Sequence, residues 1–531
     1  MFKILVTDDI GARGQALLAA AEDVETRYLK QPAPAELLAA LAEVHAVITR
    51  SGAPLDAKCF AAAPRLKVAA RAGVGLDNVD VAAATERGIL VMNTPEANVL
   101  AAIEHTLAMI LALCRKLPDA QAHLKDGGWE RGRFLGRQLF EKTIGVVGLG
   151  RIGSRVAARC QAFGMHVLAF DPYISEEVAE RLGAELVTDL DEVLARADVL
   201  TFHTPLTEET RGMMGASQMA RLKPGVMLVN CARGGIVDER ALLEALRSGR
   251  VAAAALDVFS EEPPRSPLLR ELLAQGNVLA TPHIGANTVE AQETVSVQVV
   301  QQVLDGLRGV NYRNVVNLPF AEGADYRSLA PHLTLAEKIG SLQMQLARGR
   351  IQRVEIECAG DEIGQHLKPL TVALLKGLLA PILGEAINYV NAPLVAAQRG
   401  IGVAQAHHAT PDDHANAIIC RVTTSSETRL IAGALFSHSQ PRIVRVDDFP
   451  MDVRPFGWIL VTRNRDVPGV IGQVGTLLGA HGINIAEWRT GRSAPGEAAF
   501  SFINVDSPVP QEVLVELAAF PAMLEVRQVK L

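Results

Sequence analysis

Aromatic residues make up only 4% of the 531-residue chain. Its cores must therefore be built from Ala, Val, Leu and Ile, and the hydrophobic fraction of 49% is ample for that. A cationic excess is also missing: 52 Lys and Arg stand against 59 Asp and Glu, a net charge of −7. That balance argues against a broad electrostatic grip on nucleic acid or acidic membranes and leaves room only for local basic pockets. The cysteines, Cys59, Cys114, Cys160, Cys231, Cys358 and Cys420, are scattered, with no C-x-x-C and no pair at zinc spacing. Free buried thiols in a reducing compartment are expected, and no metal site. No membrane span is expected either. The stretch from Val99 to Cys114 is broken by Glu104 and His105 and is too short to span a bilayer. The amino terminus turns acidic at Asp8 and Asp9 after one short apolar run, without the core of a signal peptide. The expectation is a cytoplasmic protein with neither membrane nor nucleic acid as partner. What the chain does have is length, enough for roughly three to four domains.

The first hundred residues alternate short apolar runs with helical patterns, and Lys3–Val6, Ala46–Thr49, Val68–Ala70 and Ile89–Met92 read as strands of parallel βαβ units. A second alternation begins at Thr143, with Ile144–Val147, His166–Phe170, Val199–Phe202, Val226–Val229, Ala252–Leu256 and Val278–Ala280 as strand-like runs. Those six match a doubly wound dinucleotide fold. Near Asn317-Leu-Pro-Phe320 the pattern turns helix-rich, with Leu333–Arg348 and Thr371–Val390 as helices and Val354–Glu357 and Ile418–Thr423 as short strand candidates. From Gly457 onward the order is strand, helix, strand, a hairpin near Pro495-Gly496, strand, helix, strand, a βαββαβ unit. The chain reads as α/β throughout.

Two constellations carry chemistry. Gly148-Leu-Gly150-Arg151-Ile152-Gly153 follows a strand-like run and opens a helical one. In that context glycines let helix N-terminal amides approach a pyrophosphate. Asp171 ends the next strand, placed for a carboxylate to accept ribose hydroxyls and repel a 2′-phosphate, so NAD is expected rather than NADP. The second constellation is Arg233, Glu262 and His283, each just past a strand of the same sheet. Singly these read as an ion pair, a solvated turn and a loop histidine. Jointly, at the carboxyl ends of consecutive strands, they suit oxidation of a 2-hydroxy acid. Histidine takes the hydroxyl proton, a carboxylate holds its tautomer, and an arginine fork grips the substrate carboxylate.

Asn230–Glu239, Asp257–Pro263, Thr281–Ala286 and Arg71–Asn78 resemble the signature segments of the D-isomer-specific 2-hydroxyacid dehydrogenases. Over its whole length the chain resembles the long, 3-phosphoglycerate-oxidising branch of that family, which carries an intervening domain and a C-terminal ACT domain. The resemblance implies a flavodoxin-like substrate domain at 1–98 and 287–317, and a Rossmann-type NAD domain at 99–286. It implies an α/β intervening domain at 318–455 and a βαββαβ ACT domain at 456–531. It also implies oxidation of 3-phospho-D-glycerate to 3-phosphohydroxypyruvate, the entry to L-serine biosynthesis, with His283 as acid/base, Glu262 as its partner and Arg233 as carboxylate binder.

NAD contacts are implied from Val74, Gly148, Gly150, Arg151, Ile152, Gly153, Asp171, Thr204, Cys231, Ala232, Arg233, Asp257, His283, Gly285 and Ala286, with Asp257 facing the nicotinamide carboxamide. Arg50 and Arg71, at carboxyl strand ends of the first domain, are the candidates for the substrate phosphate, with Gly73 and Arg233 completing the substrate set. A neighbouring subunit can contribute through Trp129–Arg133. In the ACT segment Asn464, Asp466 and Asn484 could hold a small zwitterion. The resemblance makes that L-serine, a feedback inhibitor acting across paired ACT domains of a homotetramer. Two other readings stand beside this one: a reductase of glyoxylate or another 2-oxo acid, and an NADH-sensing regulatory protein on the same fold.

Overall fold

The computed structural model describes residues 1–50, 52–318, 326–408, 416–437, 439–492, 494 and 496–531. The change of pattern expected at 317–320 and the hairpin at 495–496 thus lie partly outside the described residues. The chain divides into two compact units, one of Met1–Ile10, Gly14–Thr94 and Val299–Leu531, the other of Gly11–Arg13 and Pro95–Gln298.

The first unit opens on five parallel strands, β1 (Phe2–Val6), β2 (Val24–Tyr28), β3 (Ala46–Thr49), β4 (Val68–Arg71) and β5 (Leu90–Met92), in the order β2-β1-β3-β4-β5. This is the flavodoxin-like order, whose ligands lie beyond the carboxyl ends of the strands. Four strands were expected; the fifth is β2, whose sequence VETRY is mostly exposed at the sheet edge. An edge strand buries little, so its pattern carries no apolar run to read.

In the second unit β6 (Thr143–Val147), β7 (His166–Phe170), β8 (Glu185–Val187), β9 (Val199–Phe202), β10 (Val226–Asn230), β11 (Val251–Leu256) and β12 (Val278–Ala280) form one parallel sheet. Its order, β12-β11-β10-β9-β6-β7-β8, is the doubly wound Rossmann arrangement with seven strands where six were expected. The addition is β8, three residues long and again at an edge. Leu168, Leu200, Phe202, Leu228 and Leu256 line one face of the sheet and Ile144, Val146, Ala169 and Val229 the other, each face packed under helices. That two-sided burial is why these strands read as continuous apolar runs.

Beyond residue 325 the first unit continues with a six-stranded sheet of β13 (Ile351–Ala359), β14 (Gly402–His408), β15 (Ala417–Thr424), β16 (Thr428–Phe436), β17 (Gln440–Val446) and β18 (Phe449–Val453). Expected as helix-rich with two strands, this stretch does carry long helices, but it sets them on six strands rather than two. Helices Tyr326–Leu346 and Leu367–Leu383 pack on it and meet each other backbone to backbone. A Cβ on Gly340 would stand 2.1 Å from the Leu374 carbonyl oxygen, and one on Gly377 would stand 2.0 Å from that of Glu337.

The last seventy residues form an antiparallel sheet of β19 (Trp458–Arg465), β20 (Ile485–Arg492), β21 (Ala498–Val505) and β22 (Met523–Lys530) in the order β20-β21-β19-β22. With helices Val470–Ala480 and Gln511–Ala518 this is the expected βαββαβ unit. Side chains alternate across β19: Leu460 faces those two helices, while Ile459 and Val461 join Phe500, Phe502 and Val529 in the core of the preceding segment. Phe449 stacks on Phe500 with ring centroids 5.7 Å apart. The two C-terminal modules therefore share one core, which their separate sequence patterns did not announce.

Candidate active site

The glycines of the fingerprint divide their work between folding and binding. Gly148, at φ 91°, makes the turn out of β6, and a Cβ on Gly153 would sit 1.9 Å from the Gly148 carbonyl oxygen. The helix Gly153–Ala162 can approach the strand only because that atom is absent. A Cβ on Gly150 would meet nothing within 4 Å. Its absence is not needed for packing, so Gly150 leaves a bare surface at the helix start where a pyrophosphate can lie against main-chain amides. Asp171, past the end of β7, accepts from the Leu149 N–H at 2.8 Å and the Tyr173 N–H at 2.9 Å. Its carboxylate is thus fixed beside the glycine turn with lone pairs left for ribose hydroxyls. Nearby in the chain order of strand ends, the Thr204 hydroxyl is buried with no hydrogen-bond partner among the described residues. A stranded buried hydroxyl is expensive, and a bound ligand atom would satisfy it. These features fit NAD: glycines for the pyrophosphate, Asp171 for the ribose, Thr204 as a waiting polar group. Arg151 and Ile152 sit in the turn itself.

At the end of β10, Asn230 folds the following loop back on itself, accepting from the Ala232 N–H at 3.1 Å and donating to the Arg233 carbonyl at 3.0 Å. This sets where Arg233 leaves the sheet, and its Nη1 donates to the Ala232 carbonyl at 2.7 Å. Cys231 in the same loop has its thiol pushed up to about 12 by burial, so it stays protonated.

Glu262 and His283 meet directly, with His283 Nδ1 and Glu262 Oε2 2.7 Å apart, and the other Glu262 oxygen accepts from the Phe259 N–H at 3.1 Å. That bond raises the His283 pKa above its usual value, against burial and the opposing charge of Arg233. For Glu262, burial works against the charged form, but the bond and charge of His283 outweigh it and hold its pKa below the usual range. The pair has the geometry of an oriented base: with Nδ1 occupied, Nε2 is the nitrogen that could exchange a proton with a substrate.

The loop that carries His283 is held by Asp257. Its buried carboxylate accepts from the Thr281 hydroxyl at 2.5 Å and from the N–H groups of Ile284 and Gly285, both at 2.9 Å. His105 Nε2, from the helix Val99–Arg115, lies 3.2 Å from the same carboxylate. Burial would raise the Asp257 pKa, yet the bonds from His105, Thr281 and the Ile284 amide keep it lowered and the group charged. Residue 283 is bent into the left-handed region at φ 52°, a conformation uncommon for residues other than glycine that this lashing stabilises. Asp257 was expected at the nicotinamide; in the structure it holds the 281–285 loop through the Thr281 hydroxyl and the Ile284 and Gly285 N–H groups and lies beside His105. His105 was missed as a site residue, although its signal was visible as a polar break in an otherwise apolar helix.

In the first unit Arg50 follows β3 and Arg71 ends β4. The Arg71 guanidinium lies over Gly73, where a Cβ would stand 2.7 Å from Nη1. The loop from Ala72 to Val74 is fastened by the Thr94 N–H to the Gly73 carbonyl at 2.9 Å and by Asn93 Nδ2 to the Val74 carbonyl at 2.7 Å.

In the C-terminal sheet, Asn464 is buried on β19 and Asp466 follows it in an ion pair with Arg492 at 3.3 Å. Asn484 precedes β20 and donates to Asp506 at 2.7 Å. Asn464 is paired with Ala499 at one end of β21, whereas Ile485 is paired with Val505 at the other. At ~3.3 Å per residue the two asparagines are on the order of 20 Å apart along the sheet, so one chain does not bring the three residues together.

Residues 107–285 match the family described as D-isomer specific 2-hydroxyacid dehydrogenase, NAD binding domain. Residues 328–447 match the D-3-phosphoglycerate dehydrogenase intervening domain and residues 458–522 the ACT domain. A D-3-phosphoglycerate dehydrogenase of Synechocystis sp. is 42% identical over 535 aligned residues, covering 100% of this chain and 95% of the relative. Those of Methanocaldococcus jannaschii, at 42%, and Bacillus subtilis, at 39%, are covered end to end, each match spanning 100% of both chains. Among solved structures, the TT0316 protein from Thermus thermophilus is similar with a TM-score of 0.55 and 35% identity over 59% of this chain and 99% of that one. The D-lactate dehydrogenase of Aquifex aeolicus, complexed with NAD and lactic acid, has a TM-score of 0.53 at 30% identity over 58% of this chain and 96% of its own.

Proposed function

The chain belongs to the D-3-phosphoglycerate dehydrogenases, NAD-dependent members of the D-isomer-specific 2-hydroxyacid dehydrogenase family, and we propose from this premise that it catalyses the first committed oxidation of L-serine biosynthesis. The reaction converts 3-phospho-D-glycerate to 3-phosphohydroxypyruvate. NAD, when bound, supplies the hydride acceptor. His283 Nε2 takes the proton of the C2 hydroxyl, and Glu262 stabilises the imidazolium that results. Arg233 binds the substrate carboxylate in a fork and draws electron density from the forming carbonyl. Arg50 and Arg71 take the phosphate. The observation that carries the reading is the 2.7 Å His283–Glu262 pair, in a chain that matches phosphoglycerate dehydrogenases over its full length.

L-Serine is the proposed effector. The separation of Asn484 from Asn464 and Asp466 within one chain supports a site completed by a second copy, with Asn464 and Asp466 from one ACT sheet and Asn484 from the other. A cytoplasmic homotetramer, with no nucleic-acid or membrane partner, completes the proposal. Steady-state NADH formation from 3-phosphoglycerate, with and without L-serine, tests it. Absence of turnover with phosphoglycerate alongside rapid reduction of glyoxylate would sink the substrate assignment. Unchanged rates at saturating L-serine would remove the effector.

A further inference from the structure

The Arg50 main chain is held by other side chains on both of its polar groups. Its N–H donates to Asp8 Oδ2 at 2.9 Å, and its carbonyl accepts from Asn78 Nδ2 at 2.9 Å and from Arg71 Nε at 3.4 Å. The same Asp8 oxygen lies 3.0 Å from the Thr7 hydroxyl and 3.2 Å from the Thr49 hydroxyl, both on fully buried residues at the ends of β1 and β3. Gly52 closes over the other oxygen, with no room for a side chain, since a Cβ there would stand 2.7 Å from Asp8 Oδ1. Asn78 Nδ2 also reaches the Ala53 carbonyl at 2.9 Å, pinning the far side of the loop. Among the described residues, meanwhile, the Arg50 guanidinium has no ion-pair or hydrogen-bond partner. A charged head left available on a backbone fixed at both ends is the arrangement of a pre-organised binding group, not of a surface arginine with a mobile stem.

We propose that Asp8 is a positioning residue for substrate: its carboxylate clamps the loop after β3 so that Arg50 is presented to the phosphate of 3-phosphoglycerate. The inference rests on the reading that Arg50 binds that phosphate. Clamping matters because an arginine that must first be ordered loses affinity to the entropy of ordering. Asp8 itself touches no reacting atom. Its sequence position, in an acidic pair just after a strand, looks like a solvated turn until the loop from the neighbouring strand is seen to close on it.

The test is a double-mutant cycle on the full chain. Arg50→Ala and Asp8→Ala are each expected to raise KM for 3-phosphoglycerate on the order of tenfold or more, with NAD affinity unchanged. The double variant is expected to be no worse than Arg50→Ala alone, because Asp8 acts through Arg50. Asp8→Asn keeps an oxygen for the Arg50 amide and should restore most of the loss. Activity on D-glycerate, which lacks the phosphate, should be indifferent to all of these variants. Fully additive effects in the double variant, or an Asp8→Ala enzyme with wild-type KM, overturn the proposal while leaving Arg50 as the phosphate binder. An Arg50→Ala enzyme with wild-type KM overturns the phosphate reading itself, and the proposal with it. If Asp8→Ala does not fold, Asn78→Ala, which frees the carbonyl side of the same loop, takes its place in the cycle with the same expected outcomes.

Discussion

Replacing Asp257 with Asn changes almost nothing in size but removes one acceptor from a place that has no spare. Oδ1 of the carboxylate serves the Thr281 hydroxyl and the Ile284 N–H, and Oδ2 serves the Gly285 N–H. Whichever way the introduced amide turns, its NH2 group confronts one of those two backbone donors. The stranded N–H is buried, as the side chain of Asp257 is only 1% exposed. A stranded buried donor costs about 1–3 kcal/mol, and the remaining bonds lose the strength that charge lends them. The 281–285 loop should therefore open about 2–4 kcal/mol more readily. That corresponds to ~30-fold to ~1000-fold faster amide exchange across it, provided the loop exchanges by local opening. Because His283 rides on this loop, its misplacement should lower kcat by a factor of ~100 or more. Hydrogen exchange followed by mass spectrometry on peptides spanning 281–286, together with steady-state kinetics, reads both effects. If exchange there stays within ~3-fold of wild type and kcat is retained, Asp257 does not hold the loop and the argument fails.

Glu262→Gln should lower kcat/KM on the order of a hundredfold or more, since the histidine loses the group that orients it and stabilises its charge. The sign of its pH effect follows from the raised His283 pKa. The oxidation needs neutral His283, so activity rises with pH through that pKa; without the carboxylate the inflection moves to lower pH, and an unmoved profile would exclude Glu262. Gly150→Ala and Gly153→Ala should separate binding from folding. The first has open space for its methyl and should weaken NAD binding at unchanged thermal stability, whereas the second drives a methyl into the Gly148 carbonyl and should lower the melting temperature of the apoprotein. Equal behaviour of the two in a thermal melt would contradict that division. Gly340→Ala should destabilise the intervening segment by about 1–3 kcal/mol, as its methyl meets the Leu374 carbonyl of the facing helix; a melt identical to wild type would show that the helices can part at no cost.

What the sequence made legible and what it hid follow from one physical distinction. Strands buried on both faces, such as β9 with its sequence VLTF, announce themselves as apolar runs, and the motifs at their carboxyl ends could be placed by counting. The edge strands β2 and β8, with VETRY and ELV, mix charged residues into what little they bury and were missed, whereas the edge strands β5 and β12, with LVM and VLA, are apolar and were read. The long antiparallel strands around residue 430 were missed for a related reason: their faces serve two different neighbours, and alternation such as TRLIAGALF is blurred by glycine and alanine. The active site divides in the same way. His283, Glu262 and Arg233 are found from chemistry at strand ends because the reaction demands those residue types. The residues that aim them are ordinary polar groups whose purpose lies in a partner far along the chain. His105 reaches Asp257 across 152 residues of sequence, and Asp8 reaches Arg50 across 42. No local pattern distinguishes such a residue from a solvated one, because its signal is the other end of a hydrogen bond. Motifs alone therefore point to candidate reacting groups and say little of positioning groups that lie far along the chain. In this chain one such arrangement occurs twice, a carboxylate at the end of one strand that accepts the main-chain N–H of the loop after another: Asp8 for Arg50, and Asp257 for Ile284 and Gly285.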